Sequence, residues 1–152
     1  MFPFTVIANT DTEALHGIRI QVWESLTEEE LPNADITNPV RLGAATLEIF
    51  ELLGYDQATF DALATNSLIR HKIILAVQYR TAALLVPTLP QQIRESVLGA
   101  HDEQHATIDW EKKEQKLNES AVNWIADLAP KGATLGGGSA AVFSTFEVPT
   151  HI

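Results

Sequence analysis

Residues 68 to 86 constrain the fold of this chain more than any other segment. Between residues 73 and 86 the apolar side chains fall on nearly every face of a helix, and Pro87 ends the run. A helix that is apolar all round must be surrounded by other elements. A bilayer span needs about 20 apolar residues, whereas this run is shorter and contains Gln78 and Arg80. We therefore predict a core helix within a bundle.

Capping signals predict two further helices on the N-terminal side of the core helix. Asn38 is a favoured N-cap and Pro39 is favoured at the first helical position. Gly54 stands where a glycine ends a helix in the left-handed conformation. A shorter helix is predicted from its cap, Asp56, to Ala64. Ser67 then caps the core helix itself.

On the C-terminal side, a helix is predicted to begin at Pro90 and a last helix to end near Ala129. Asp109 or Thr107 caps the last helix, and the pattern across 90–128 fits either one long helix or two. The last helix has an apolar stripe that indicates packing against other helices. Its members are Trp110, Leu117, Ala121, Trp124 and Leu128.

Residues 1–26 fit two interpretations. Apolar and polar residues alternate from Ile18 to Trp23, which is typical of a short strand or extended arm. A helix over residues 12–26 fits the same sequence nearly as well. Both structures are expectations for this segment.

A capping box follows at Thr27 and Glu30, whose side chains satisfy each other's exposed backbone amides. Pro32 comes almost at once. We therefore predict a single helical turn or a bend here.

Residues 131–152 differ in kind from the rest of the chain. The run Gly136 to Ser139 is a flexible joint, and a β-prone apolar run follows it. A free apolar tail is a liability in a monomer, so it suggests strand addition to, or insertion between, neighbouring subunits. The residues proposed for a subunit or partner interface are Val142, Phe143, Phe146 and Val148.

These segments predict an all-α fold. It is a small helical bundle of about four main helices over residues 27–130, with an extended N-terminal arm, 1–26, and an extended C-terminal arm, 131–152.

The chain is strongly acidic, with 20 Asp and Glu against 10 Lys and Arg and a formal net charge of -10. A protein that grips nucleic acid or an anionic membrane needs a basic patch, so the charge argues against both classes. The absence of cysteine excludes disulfides, thiol nucleophiles and cysteine-ligated zinc.

The charge is also uneven along the chain. Residues 67–87 contain Arg70, Lys72 and Arg80 and no acidic residue, whereas the neighbouring segments are net acidic. This asymmetry permits charge pairing within the bundle or between copies in an assembly. We therefore predict these three cations as interface charges.

One metal-like pattern is present. His101 and His105 are four residues apart and share one face of a helix, with Asp109 as a possible third ligand one turn on. Asp102 stands where the catalytic zinc pattern has glutamate, which favours a charge-rich helix end. A metal-dependent hydrolase or metal-regulated binding protein using His101 and His105 is the alternative function.

No enzyme motif stands out elsewhere. The hydroxyl residues lie in no nucleophile-elbow pattern. The glycine run at 136–138 lacks the lysine and following helix of a phosphate loop. We therefore predict an interaction protein without catalytic residues, resident metal or cofactor.

Several motifs resemble the head–tail connector (adaptor, or head-completion) proteins of tailed bacteriophages. The first is Leu26 to Pro32, an acidic "LT-acidic-LP" turn, which is followed by Ile36 before Pro39 and by Arg41 to Ala45, a "LGAA"-like stretch. A looser match continues through an alanine-rich core helix and a closing helix. These later residues are Ala76, Ala82, Ala83 and Trp124 to Leu128, so that the resemblance spans residues 26–129.

The resemblance implies a structural protein of the virion neck, assembled in the host cytoplasm as a homo-oligomeric, dodecameric ring. Such a ring sits on the portal protein, extends the DNA channel and docks the stopper or tail protein. Genomic DNA passes through its lumen without sequence-specific binding, and no membrane is involved. In such rings the C-terminal arm commonly reaches the portal, which would place Val142 to Val148 at that contact. The family has no catalytic residues to carry over.

Overall fold

A computed structural model of the chain describes residues 5–24, 26–89 and 109–129, and this part is helical with no strand. A π-helical turn, Pro39–Gly43, leads into the third helix, and a 3₁₀ turn, Val86–Thr88, follows the fifth. The predicted all-α fold with four main helices is confirmed. The helices in chain order are α1 Thr12–Val22, α2 Asn33–Ile36, α3 Ala44–Leu53, α4 Gln57–Asp61, α5 Leu68–Leu85 and α6 Trp110–Trp124.

Helix α5 is the centre of the bundle, as its all-round apolar sequence predicts. Helices α1, α3 and α6 all pack on it. Ile73, Ala76 and Val77 are fully buried. The buried hydroxyl of Thr81 donates to the Val77 carbonyl at 2.7 Å. Its polar atom is thus satisfied without interrupting the apolar surface of α5.

The strand interpretation of the N-terminal segment is wrong, and the helical one is right. Leu15, Ile18 and Val22 have 0% exposure and repeat with helical spacing, so one face of α1 lies in the core. In a strand, Ile20 would face inward, but in the structure it is 41% exposed. Asp11 caps α1 by accepting from the Ala14 amide at 3.1 Å. Residues 12–22 therefore belong to the bundle and are no extended arm.

The predicted N-caps are confirmed. Gly54 ends α3 in the left-handed conformation, with φ of 71°. The side chains of Asn38, Asp56, Ser67 and Asp109 accept hydrogen bonds from the amides of Val40, Thr59, Arg70 and Lys112 at 2.8–3.1 Å. Because Asp109 is extended and caps α6, a single helix over 90–128 is excluded. The helix predicted from Pro90 lies outside the described residues.

The capping box at residues 27–30 is formed, and it stabilises a single turn. The Glu30 amide donates to Thr27 Oγ1 at 3.2 Å, and the Thr27 amide donates to Glu30 Oε1 at 3.1 Å. The chain turns here and enters α2 after Pro32. The Glu30 and Leu31 amides also donate to the Thr27 carbonyl at 3.1 and 2.9 Å, so the predicted single helical turn is formed.

The end of α6 differs from the prediction. Leu117 and Ala121 are buried as predicted, but Trp124 is 38% exposed and is the last helical residue. The chain then turns so that Ile125 is fully buried, and its carbonyl accepts from the Leu128 amide at 2.9 Å. Because the helix ends five residues before Ala129, Ile125 is buried in place of Trp124.

Two glycines of the bundle are expected to respond oppositely to alanine. Gly54→Ala places a side chain in the left-handed region and should lower the free energy of unfolding by about 1 kcal/mol. Gly17→Ala lies within α1, where the new Cβ would lie 3.4 Å from the end of the flexible Gln78 side chain. It should raise that free energy by up to about 1 kcal/mol, through helix propensity. Urea unfolding of both variants measures this, and shifts of the same sign would contradict the assigned backbone conformations.

Candidate functional site

Arg80 joins three helices through its guanidinium group. Its Nε and Nη2 donate to Glu48 Oε1 and Oε2 at 2.7 and 3.0 Å, a bidentate pair between α5 and α3. Its Nη1 donates to Asn118 Oδ1 on α6 at 2.8 Å. The Arg80 side chain is only 6% exposed, whereas that of Glu48 is 36% exposed. This predicted interface cation is therefore held inside the bundle.

Arg70 holds the connection between α4 and α5. Its Nη1 donates to the carbonyls of Phe60 and Leu63 at 3.1 and 3.3 Å. The guanidinium also lies 4.3 Å from the centroid of the Phe60 ring, a cation–π contact. Arg70, the second predicted interface cation, is thus half-buried and binds groups of its own chain.

Lys72, the third of these cations, pairs with the chain just after α6. Its Nζ lies 2.8 Å from Asp127 Oδ2. The hydrogen bond from Lys72 lowers the pKa of the Asp127 carboxyl below its ordinary value of 3.8. The stabilising effect of this pair is present above that ordinary value and is lost as pH falls through the lowered pKa. All three cations therefore have partners within the chain. Of the two predicted uses, pairing within the bundle and pairing between copies, this is the first.

Arg19 is a fourth internal cation, and the sequence analysis did not single it out. It is buried in α1, where its Nε donates to the Leu31 carbonyl at 2.8 Å and its Nη2 to Asn33 Oδ1 at 2.6 Å. Asn33 Nδ2 in turn donates to Glu28 Oε2 at 3.3 Å. The acidic turn at residues 27–31 is thereby fixed to α1. The sequence signal that could have identified Arg19 is the helical periodicity of α1, because Arg19 follows the buried Ile18 in that helix.

The surface of residues 5–89 is acidic because its basic side chains are used internally. Arg41, the fifth of them, is half-buried and donates from Nη1 to the Asp35 carbonyl at 3.4 Å. In the described part of the chain, the exposed lysine and arginine residues are Lys112 and Lys116. The exposed acidic residues are Asp11, Glu13, Glu24, Glu28, Glu29, Asp35, Glu51, Asp56, Asp61, Asp109, Glu111, Glu119 and Asp127.

Two tryptophans join the end of α1 to the start of α6. The ring centroids of Trp23 and Trp110 are 6.0 Å apart and the rings are tilted by 54°. Lys113 Nζ lies 5.5 Å from the Trp23 ring centroid, and burial lowers the pKa of this lysine. Both rings are partly buried against the core. This agrees with the prediction that Trp110 packs against other helices.

The remaining predicted site residues lie outside the described residues. They are Val142, Phe143, Phe146 and Val148 of the C-terminal arm and the pair His101 and His105. Across residues 5–24, 26–89 and 109–129, no group of three or more His, Asp or Glu side chains is arranged to hold a metal ion. In the same ranges no helix has the length and apolarity to cross a membrane.

Comparison of the chain with protein-family models, curated proteins and solved structures gives no match. A functional assignment therefore depends on the chain's own residues. The geometry brings together buried cations, an anchored acidic turn and an acidic surface.

The Arg80 network generates a stability prediction. Glu48→Ala leaves a buried guanidinium without its counter-charge and should lower the free energy of unfolding by about 2–3 kcal/mol. Glu51→Ala, at an exposed position on the same helix, is the matched control and should change it by less than about 0.5 kcal/mol. Chemical unfolding of both variants measures the difference. Equal effects would contradict a structural role for the pair.

A double variant separates the pair from the packing around it. Glu48→Leu with Arg80→Met replaces the two charges by apolar side chains of similar length. Because removing both charges leaves neither unpaired, the double variant should recover most of the stability that Glu48→Ala loses. A double variant as unstable as Glu48→Ala would indicate that packing, or the buried Asn118 left without its partner, and not the unpaired charge, causes the loss.

Proposed function

We propose that the chain is a non-enzymatic structural subunit of a bacteriophage neck. In this role it is a head–tail adaptor that forms a homo-oligomeric ring on the portal, extends the DNA channel and docks the stopper or tail. The proposal is supported by the motif resemblance over residues 26–129 and by the all-α bundle. The distribution of charge is the observation that carries it.

A DNA channel must let the duplex pass without holding it. Proteins hold DNA chiefly by neutralising phosphates with lysine and arginine. In residues 5–89 of this chain the five basic side chains are buried or half-buried and each one binds a group of the same chain. The charges left at the surface there are carboxylates, which repel phosphate over a range of about 8–10 Å at physiological salt.

The acidic turn matches this role in a second way. Residues 27–31 carry the acidic motif of the resemblance, and Arg19 fixes them to a core helix through Leu31 and Asn33. A contact surface that is rigid before it binds loses less conformational entropy on binding. The turn is therefore suited to be a fixed contact surface of an assembly.

The C-terminal arm supplies the proposed contact with the portal. Lys131 to Phe146 include no acidic residue, and the four apolar residues from Val142 to Val148 follow a glycine joint. Such a segment can add to an exposed sheet edge or fill an apolar groove of a partner. In the proposed function that partner is the portal.

Binding to the portal tests this function with full-length variants. Phe143→Ser with Phe146→Ser removes the two largest apolar anchors of the arm and should weaken binding to the purified cognate portal at least tenfold. Ser144→Ala with Thr145→Ala, in the same segment, should bind like the unaltered chain. Co-sedimentation measures the affinity, and electron microscopy shows whether rings form on the portal.

The two possible failures are separable. Unchanged binding by the phenylalanine variant would contradict the role of the arm. An unaltered chain that fails to bind the portal and forms no ring would contradict the proposed function as a whole.

A further inference from the structure

Helices α5 and α6 run in opposite directions, so that α5 begins where α6 ends. Arg80, in the second half of α5, donates to Asn118 in the middle of α6 at 2.8 Å. Lys72, near the start of α5, lies 2.8 Å from Asp127, just beyond the end of α6. Contacts toward the start of α5 are thus made by residues toward the end of α6. The last described residue, Ala129, follows two positions after Asp127.

Ile69 lies on the side of α5 that meets α6. Ala76 is four residues from both Lys72 and Arg80, so it lies between them on that side, and it is fully buried. Ile69 is seven residues before Ala76, which is within about 20° of two full turns. It is therefore on the same side, yet it is 38% exposed, and the preceding Leu68 is 66% exposed.

Trp124 continues the buried stripe of α6. Leu117 and Ala121 are buried, and Trp124 follows them by seven and three residues, on the same side of the helix. It is nevertheless 38% exposed. The inward-facing stripe of each of the two helices therefore ends in a large apolar side chain that the described residues leave partly uncovered.

These exposed apolar residues lie at one end of the bundle. Ile69 is three residues before Lys72, Trp124 is three residues before Asp127, and the ion pair joins these two partners. Leu68 is four residues before Lys72. All three apolar residues thus lie within about one helical turn of the same ion pair. We call Leu68, Ile69 and Trp124 the end patch.

The C-terminal arm is the segment of the chain that begins beside the end patch. From Ala129 to Val142 there are 13 residues, which can span up to about 45 Å, whereas the whole of α5 is about 27 Å long. The apolar residues from Val142 to Val148 can therefore reach the patch. Because the arm and the patch belong to one chain, their contact is intramolecular and is favoured over the same contact between copies at ordinary protein concentration.

We propose that the apolar residues of the C-terminal arm, Val142, Phe143, Phe146 and Val148, dock on the end patch of their own chain. An exposed apolar patch and an exposed apolar segment are both unfavourable in water, and the contact removes both from it. The inference goes beyond the proposed function, because the docking takes place within one chain and needs no partner. In the proposed function, the portal would displace the arm from the patch.

An introduced cysteine pair tests the docking in the full-length chain. The chain has no cysteine, so Leu68→Cys with Ser144→Cys allows a single disulfide within it. A disulfide needs Cα atoms within about 7 Å of each other. The pair should therefore oxidise at least tenfold faster than Val40→Cys with Ser144→Cys. Val40 is the matched control because it is 66% exposed, like Leu68, and lies in the turn before α3.

Non-reducing electrophoresis and mass spectrometry measure the rate and separate a disulfide within one chain from one between two chains. Equal rates for the two pairs would overturn the proposal. A disulfide that forms mainly between two chains at micromolar concentration would also overturn it and assign the patch to the arm of a second copy.

A serine variant shows whether the patch itself holds the arm. Ile69→Ser, added to Leu68→Cys with Ser144→Cys, should slow formation of the disulfide at least threefold. Ile20→Ser is the matched control, since Ile20 is 41% exposed on α1, and it should leave the rate unchanged. Circular dichroism checks that each variant keeps its helices. Equal rates with both serine variants would contradict docking on the patch.

Adding the purified cognate portal separates this inference from the proposed function. A portal that slows formation of the disulfide supports both, because it takes the arm from the patch. A fast disulfide that the portal does not slow supports the docking and contradicts the role of the arm at the portal. A chain that binds the portal through the arm but shows no preference for Leu68→Cys over Val40→Cys overturns the docking and leaves the neck function standing.

Discussion

The bidentate pair between Arg80 and Glu48, completed by Asn118, is the interaction on which the rest of the bundle depends. Helix α5 is apolar on nearly every face, so other helices must cover it. Because this covering buries Arg80, its charge needs a partner on the covering helices. The fork geometry of the guanidinium fixes α3 and α6 to the same point of α5. One side chain thus sets how two of the three helices around α5 are placed.

The binding of cations inside the chain also explains why the surface is acidic. Each basic residue between positions 5 and 89 binds a carbonyl, an amide or a carboxylate of its own chain, and the acidic residues are left outside. The net negative charge of the described residues therefore lies mainly at their surface. A channel that DNA must cross freely requires such a surface, whereas a protein that grips DNA requires its opposite. Lys112 and Lys116 are the exposed exceptions among the lysine and arginine side chains of the described residues.

Local signals in the sequence predicted much of this fold. The caps at Asn38, Asp56, Ser67 and Asp109 act on backbone amides within a few residues, so short motifs were sufficient. The secondary structure of α1 was ambiguous, because its six alternating residues fit a strand and also fit part of a helix. Burial against α5 decided between the two structures. Arg19 and Glu48 were missed because their partners lie elsewhere in the chain, and sequence spacing does not show which distant residues a fold brings together. Of the predicted site residues, Arg70, Lys72 and Arg80 lie within the described part of the chain.

In the proposed function the cations are held inside and the surface is acidic, so that DNA would pass without being bound. A titration of duplex DNA with the full-length chain at low ionic strength tests it most directly, because phosphate contacts are strongest there. The account predicts no binding, for the assembled form as well as for the free subunit. Binding that weakens steeply as salt is added would show that basic groups reach the phosphates, and it would contradict the account.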